Sequence, residues 1–204
     1  IEACKKIAAL SSEDPKGAVA FVESQLKPNV DARVFEIVSF AILKAYYGEQ
    51  SIFWGWSAEE LQQDFLMLYK TGRTNANDGG IDFVMKPLGR FFQVTETIDV
   101  NKYFLDIDKV HRFPLTFVVK STDSDTDVRT QLRAEAHRKY GIDAIVARYM
   151  DAVEEVINIP HLVEVFEGLV KTGKLQQIMD EIVLQSRVEF NADEVEEDEV
   201  SGAE

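Results

Sequence analysis

A chain of 204 residues with 46% hydrophobic content can bury a full core, and its length favours one domain. No run of about 18 apolar residues occurs, the opening residues lack a signal-peptide pattern, and the single cysteine, Cys4, excludes an internal disulfide. The expectation is a soluble chain in a reducing cytoplasm with no membrane partner. The formal charge of −14 opposes binding to phosphates, but seven of the 36 acidic residues fall in 192–204, leaving 29 against 22 basic ones. That acidic stretch, part of a tail over 191–204, carries no aromatic residue and reads as solvating sequence.

Helical spacing appears first over 4–10 and 15–26, where Ser12 and Asp14 can cap and Pro15 suits a first turn. Pro28-Asn29 interrupts it. From Asp31 the set Val34, Ile37, Val38, Ala41, Ile42 and Ala45 predicts a helix that carries Glu36 and closes at Gly48. Residues 49–57 are aromatic and irregular, with Phe53, Trp54 and Trp56 expected to seal the core. Ser57 is placed to cap a further helix running towards Leu68. A loop rich in Gly, Asn and Asp follows over 71–80, then strands over 81–86 and 90–95 joined by a turn at Pro87-Leu88-Gly89.

Residues 101–112 read as a helix and 114–120 as a buried strand. Beyond a polar loop at 121–126, helices are expected over 127–140, 142–158, 161–171 and 174–187, separated by Gly141, Pro160 and Gly173. No repeat at 20 to 50 residue spacing is present, which removes solenoids. The class is α+β with an excess of helix. Its parts are N-terminal helices over 1–33, a core over 34–120, a helical part of the same domain over 121–190, and the tail.

The short hairpin places Asp82 and Gln93 on neighbouring strands, so two oxygen donors can converge, and Glu36 can add a third from its helix. A hard cation such as Mg²⁺ takes oxygen donors, keeps several waters, and can activate water against a phosphodiester. The helix over 127–140 sets Arg129, Arg133 and His137 at four-residue spacing, a face that could meet phosphates or remain solvated. Arg73, Asn75 and Asn77 in the loop before Asp82 suit base edges or phosphates, as well as turn geometry.

Other motifs fail. Asp123-Ser124-Asp125-Thr126-Asp127 opens like a calcium loop, but Val128 stands where glycine is required and Ala134 where glutamate is required. The three histidines sit on separate elements, without zinc-site spacing. No glycine-rich loop followed by Lys-Ser or Lys-Thr exists, so a nucleotide cofactor has no support.

The helix with its early acid, Phe35-Glu36-Ile37-Val38, the segment Asp78-Gly79-Gly80-Ile81-Asp82, and Phe92-Gln93-Val94-Thr95 together resemble the PD-(D/E)XK nuclease superfamily over residues 34–120. The longer stretches 70–85 and 89–96 resemble the ApaLI-like type II restriction endonucleases within it. That resemblance implies an αβββαβ restriction-endonuclease-like core with extra terminal helices, and a Mg²⁺-dependent hydrolase of duplex DNA acting as a homodimer. It makes Asp82 the central metal ligand, Gln93 the second, and Glu36 the outer acid. Thr95 departs from the pattern, which has a lysine there. Lys86, on the strand of Asp82, and Lys120, ending the next strand, are the candidates for the missing charge. If neither reaches, a nuclease fold that binds DNA or a protein without cutting is the alternative.

Overall fold

The computed structural model describes residues 14–72 and 81–190. Strand β6 (Leu115–Val119) is buried at every position. A strand with side chains on both faces can bury them all only between two layers, and that requirement sets the architecture. A five-stranded sheet runs in the order β3-β4-β5-β6-β7, with β3 (Met67–Lys70), β4 (Phe83–Lys86), β5 (Arg90–Thr95) and β7 (Val153–Ile157). The β3, β4 and β5 pairings are antiparallel, whereas β5, β6 and β7 run parallel. Parallel neighbours need crossovers. Helix α3 (Val100–Lys109) makes one, and α4 (Asp125–Tyr140) with α5 (Asp143–Asp151) makes the other.

One face of the sheet packs on α1 (Pro15–Gln25), α2 (Ala32–Tyr47), α6 (Ile159–Lys171) and α7 (Leu175–Glu189), around Phe35, Phe40, Phe83, Phe92 and Phe166. The other face packs on α3, α4 and α5, around Tyr103, Phe104, Phe117 and Leu132. Tyr103 stacks on Phe117 with ring centroids 4.1 Å apart. Helix ends follow their caps. Asp31 accepts the Arg33 N–H at 2.9 Å, Ser124 accepts that of Asp127 at 3.1 Å, and Asn158 accepts that of His161 at 2.9 Å. Gly141 closes α4 at φ 63°, the left-handed conformation a glycine takes without a Cβ clash.

The mixed α+β class, the hairpin over 81–95, α3 and β6 stand as the sequence predicts. Two segments differ. The helix expected from Ser57 is a single 3-10 turn, Ala58–Glu60, flanked by the antiparallel strands β1 (Ser51–Trp54) and β2 (Gln62–Phe65) and followed by β3. Leu61, Phe65 and Leu68 satisfy helical spacing, but only Leu66 and Leu68 are buried, which is strand alternation. The helix expected over 142–158 stops at Asp151, because Val153, Val156 and Ile157 are taken by pairing with β6. Phe53 and Trp56 do not seal the core: they are 70% and 90% exposed. The expected helix over 4–10 and the acidic tail lie outside the described residues.

The second helical layer stops short of β3 and β4, so Met67, Tyr69 and Lys86 are exposed on that side. Among the described residues no helix is long and apolar enough to cross a membrane. Phe92 lies between Phe83 and Tyr47, with centroids 6.4 Å and 5.8 Å away, and is fully buried. Phe92→Ala is expected to cost about 3–5 kcal/mol in urea unfolding, whereas Trp56→Ser should stay within about 0.5 kcal/mol of the native chain.

Candidate functional site

β3 ends where β4 begins, and β5 and β6 end at that same edge of the sheet, so Lys70, Asp82, Glu96 and Lys120 are gathered there by topology. Helix α2 adds Glu36, which is only 4% exposed. Leu66, Leu68 and Lys70 alternate onto the α2 face, and the Lys70 ammonium meets Glu36 Oε1 at 2.7 Å. Both side chains are at least nine-tenths buried. Such a pair is held by Coulomb attraction that must offset the desolvation of two ions.

Asp82 departs from the strand ladder. Its N–H donates to Phe92 O at 2.9 Å and its carbonyl accepts the Thr71 N–H at 3.0 Å. Its carboxylate Oδ2 accepts the Val94 N–H at 2.6 Å. The side chain therefore takes the place a main-chain carbonyl would hold, and the carboxylate is fixed at the mouth of the β4–β5 hairpin. A charged acceptor makes this bond stronger than an amide pair.

Gln93 and Thr95 alternate with Phe92 and Val94, which face α2, and so point towards α3. The Gln93 amide nitrogen donates to Val94 O at 3.3 Å, and Oε1 is buried with no hydrogen-bond partner among the described residues. Thr95 is 1% exposed and its hydroxyl donates to Thr97 O at 3.1 Å. The sheet thus separates Gln93 from Glu36. Lys86 is four residues from Asp82 along β4, about 13 Å, with its ammonium 5.7 Å from the centre of the Tyr69 ring. Lys120 is at the right end: its ammonium donates to Val30 O at 2.7 Å and pairs with Glu96.

Glu36, Asp82, Gln93, Thr95 and Lys120 are therefore gathered at one sheet end, with Gln93 and Thr95 on the face away from α2, while Lys86 lies at the other end of β4. Among the described residues no cluster of three or more His, Cys, Asp or Glu could hold a metal ion. Mg²⁺ wants several oxygen donors in octahedral array. At the end of the hairpin, Asp82 and the buried Gln93 Oε1, unpartnered among the described residues, are the oxygen donors that could hold such an ion, while Glu36 is engaged by Lys70 on the α2 face. Lys70 and Glu96 complete the charged cluster and carry no motif of their own. Lys70 is legible only if 66–70 is read as alternating strand.

Arg73, Asn75 and Asn77 lie outside the described residues. The Arg129 guanidinium pairs with Asp125 at 2.8 Å and donates to Val153 O at 2.8 Å and Glu154 O at 3.1 Å, fastening α4 to the edge strand β7. Arg133 is exposed on α4. At the opposite end of β5, Arg90 donates to Thr116 Oγ1 at 2.8 Å and pairs with Glu155, beneath Tyr47. No family model matches this chain, and no curated protein or solved structure matches it either.

Burial pushes the Tyr47 hydroxyl up to about 12, with Arg90 opposing and Glu155 adding to the rise. Burial moves Tyr103 up as well, and the hydrogen bond to Asp108 raises Tyr149. A phenol whose folded value exceeds its unfolded value of about 10 ionises first in the unfolded chain. The stability tied to Tyr47 is complete below pH 10 and is lost as pH climbs towards 12, a window that alkaline urea titrations of native chain and Tyr47→Phe should resolve. Lys70→Met leaves the Glu36 carboxylate buried alone and is expected to cost about 3–5 kcal/mol. Glu36→Gln combined with Lys70→Met should cost less in the same urea assay.

Proposed function

We propose that this chain is a restriction-type endonuclease that hydrolyses phosphodiester bonds of duplex DNA, with Mg²⁺ as its ion and a homodimer as its working form. The observation that carries the reading is the strand order: helix α2, antiparallel β3, β4 and β5, helix α3, then parallel β6, with Asp82 fixed where the central strands begin and end. That order supports the αβββαβ core that the resemblance to the PD-(D/E)XK superfamily implies, and the fixed Asp82 carboxylate supports its role as the central acid. When bound, Mg²⁺ lowers the pKa of a coordinated water and offsets charge on the phosphate.

The chain's own part is positioning. The Val94 N–H orients the Asp82 carboxylate. Lys120, buried at the same end and paired with the half-exposed Glu96, is the ammonium placed to stand in for the lysine that Thr95 replaces. In a water-poor setting an ammonium stabilises developing phosphate charge far more than at an open surface.

The second reading is a nuclease fold that binds DNA or a protein without cutting. It is favoured by the burial of Thr95 and by the hold of Lys70 on Glu36. Incubation with plasmids of varied sequence and Mg²⁺ decides between them. The endonuclease reading expects discrete fragments, lost by at least 100-fold in Asp82→Ala. An uncut plasmid, or undiminished cutting by Asp82→Ala, overturns it, and salt-dependent retention of uncut duplex would then support the binding module.

A further inference from the structure

Helix α3 ends in a turn that is normally made by glycine. The His111 N–H donates to Asp108 O at 3.0 Å and the Arg112 N–H to Ile107 O at 2.8 Å, the paired bonds of a Schellman closure. Glycine is the usual residue there because the backbone turns left-handed, yet His111 has φ 52° and Arg112 has φ 63°. Two consecutive side chains thus sit in a conformation that their Cβ atoms disfavour. Both line a cavity of about 550 Å³, within the range of small-ligand sites. Across it stand Arg148 from the last turn of α5 and Asp151 at its end.

The cavity is a fixed piece of structure. Asp108 accepts the Tyr149 hydroxyl at 2.6 Å and forms an ion pair with Arg112 Nε at 3.5 Å, and the Arg112 guanidinium lies 5.4 Å from the centre of the Tyr149 ring. The Leu115 N–H donates to Ala152 O at 2.9 Å and ties the floor to β6 and β7. Arg112 is held between Asp108 and Tyr149, while Arg148 brings a second guanidinium from a separate helix. Two guanidinium groups and an imidazole lining one cavity supply the kind of donors a phosphate takes. The site is at the N-terminal end of β6, the opposite end from Lys120, and is independent of the Asp82 cluster.

The geometry points to a binding site for a small phosphomonoester. Arg112, Arg148 and His111 hold the phosphate, and the Asp151 carboxylate accepts a hydroxyl of the attached polyol. The left-handed backbone at His111 and Arg112 is kept because it delivers these side chains to the ligand.

Titration calorimetry with inorganic phosphate and with ribose 5-phosphate tests this on the full chain. Saturable binding of both is expected, tighter for ribose 5-phosphate, and weakened about tenfold or more in Arg148→Gln. Asp151→Asn should weaken ribose 5-phosphate and spare phosphate. His111→Gly separates strain from function: its Tm should rise by about 2 °C as the left-handed residue is relieved, while phosphate affinity falls. No saturable binding by the native chain, equal affinity for the two probes, or unchanged affinity in Arg148→Gln or His111→Gly overturns the proposal.

Discussion

The double-sided burial of β6 is the constraint from which the rest descends. All five of its residues are shielded, with Thr116 and Val118 turned to one helical layer and Leu115, Phe117 and Val119 to the other. Fully burying one such side chain contributes about 1.5–3 kcal/mol, and β6 gathers several of these contributions in five residues. Parallel pairing on both flanks follows, since each neighbour must arrive through a helix that also serves as cover. The antiparallel strands β3 and β4 are under no such demand, and their side facing away from α2 stays open.

What the sequence could show tracks how local each interaction is. The hairpin over 81–95 was legible because its turn is short and Gly89, at φ 65°, suits it by supplying a left-handed backbone. β6 was legible as a run of apolar, β-branched residues. β7 was hidden: Ile142, Ile145, Val146, Tyr149, Val153 and Val156 satisfy a helical period, and only a partner 38 residues back in the chain, as for Leu115 and Val153, makes the last of them strand. β3 was hidden for the same reason. With β3 read as helix, Lys70 could not be seen to face Glu36.

The candidate site was legible in part. The motif points to Asp82, and its fixed carboxylate is a feature of tertiary pairing that no spacing rule predicts. Convergence of Asp82, Gln93 and Glu36 on one ion requires Gln93 to share the α2 face of the sheet. Alternation along β5 gives Phe92 and Val94 to α2 and leaves Gln93 on the far side. Two of the carboxylates at this sheet end are paired with ammonium groups of the chain, the buried Glu36 with Lys70 and the half-exposed Glu96 with the buried Lys120. A cation brought to either of these two competes with a lysine already in place.

β3 is an edge strand, and an edge carrying Met67 and Tyr69 beside Phe53, Trp56 and Phe65 is a template on which a second sheet could grow. The formal charge of −14 acts at longer range, holding copies apart before their aromatic edges meet. Near the sequence pI of 4.7 that repulsion vanishes. The surplus of acid is thus also colloidal protection for an open sheet, and mild acidification exposes the molecule to its own edge.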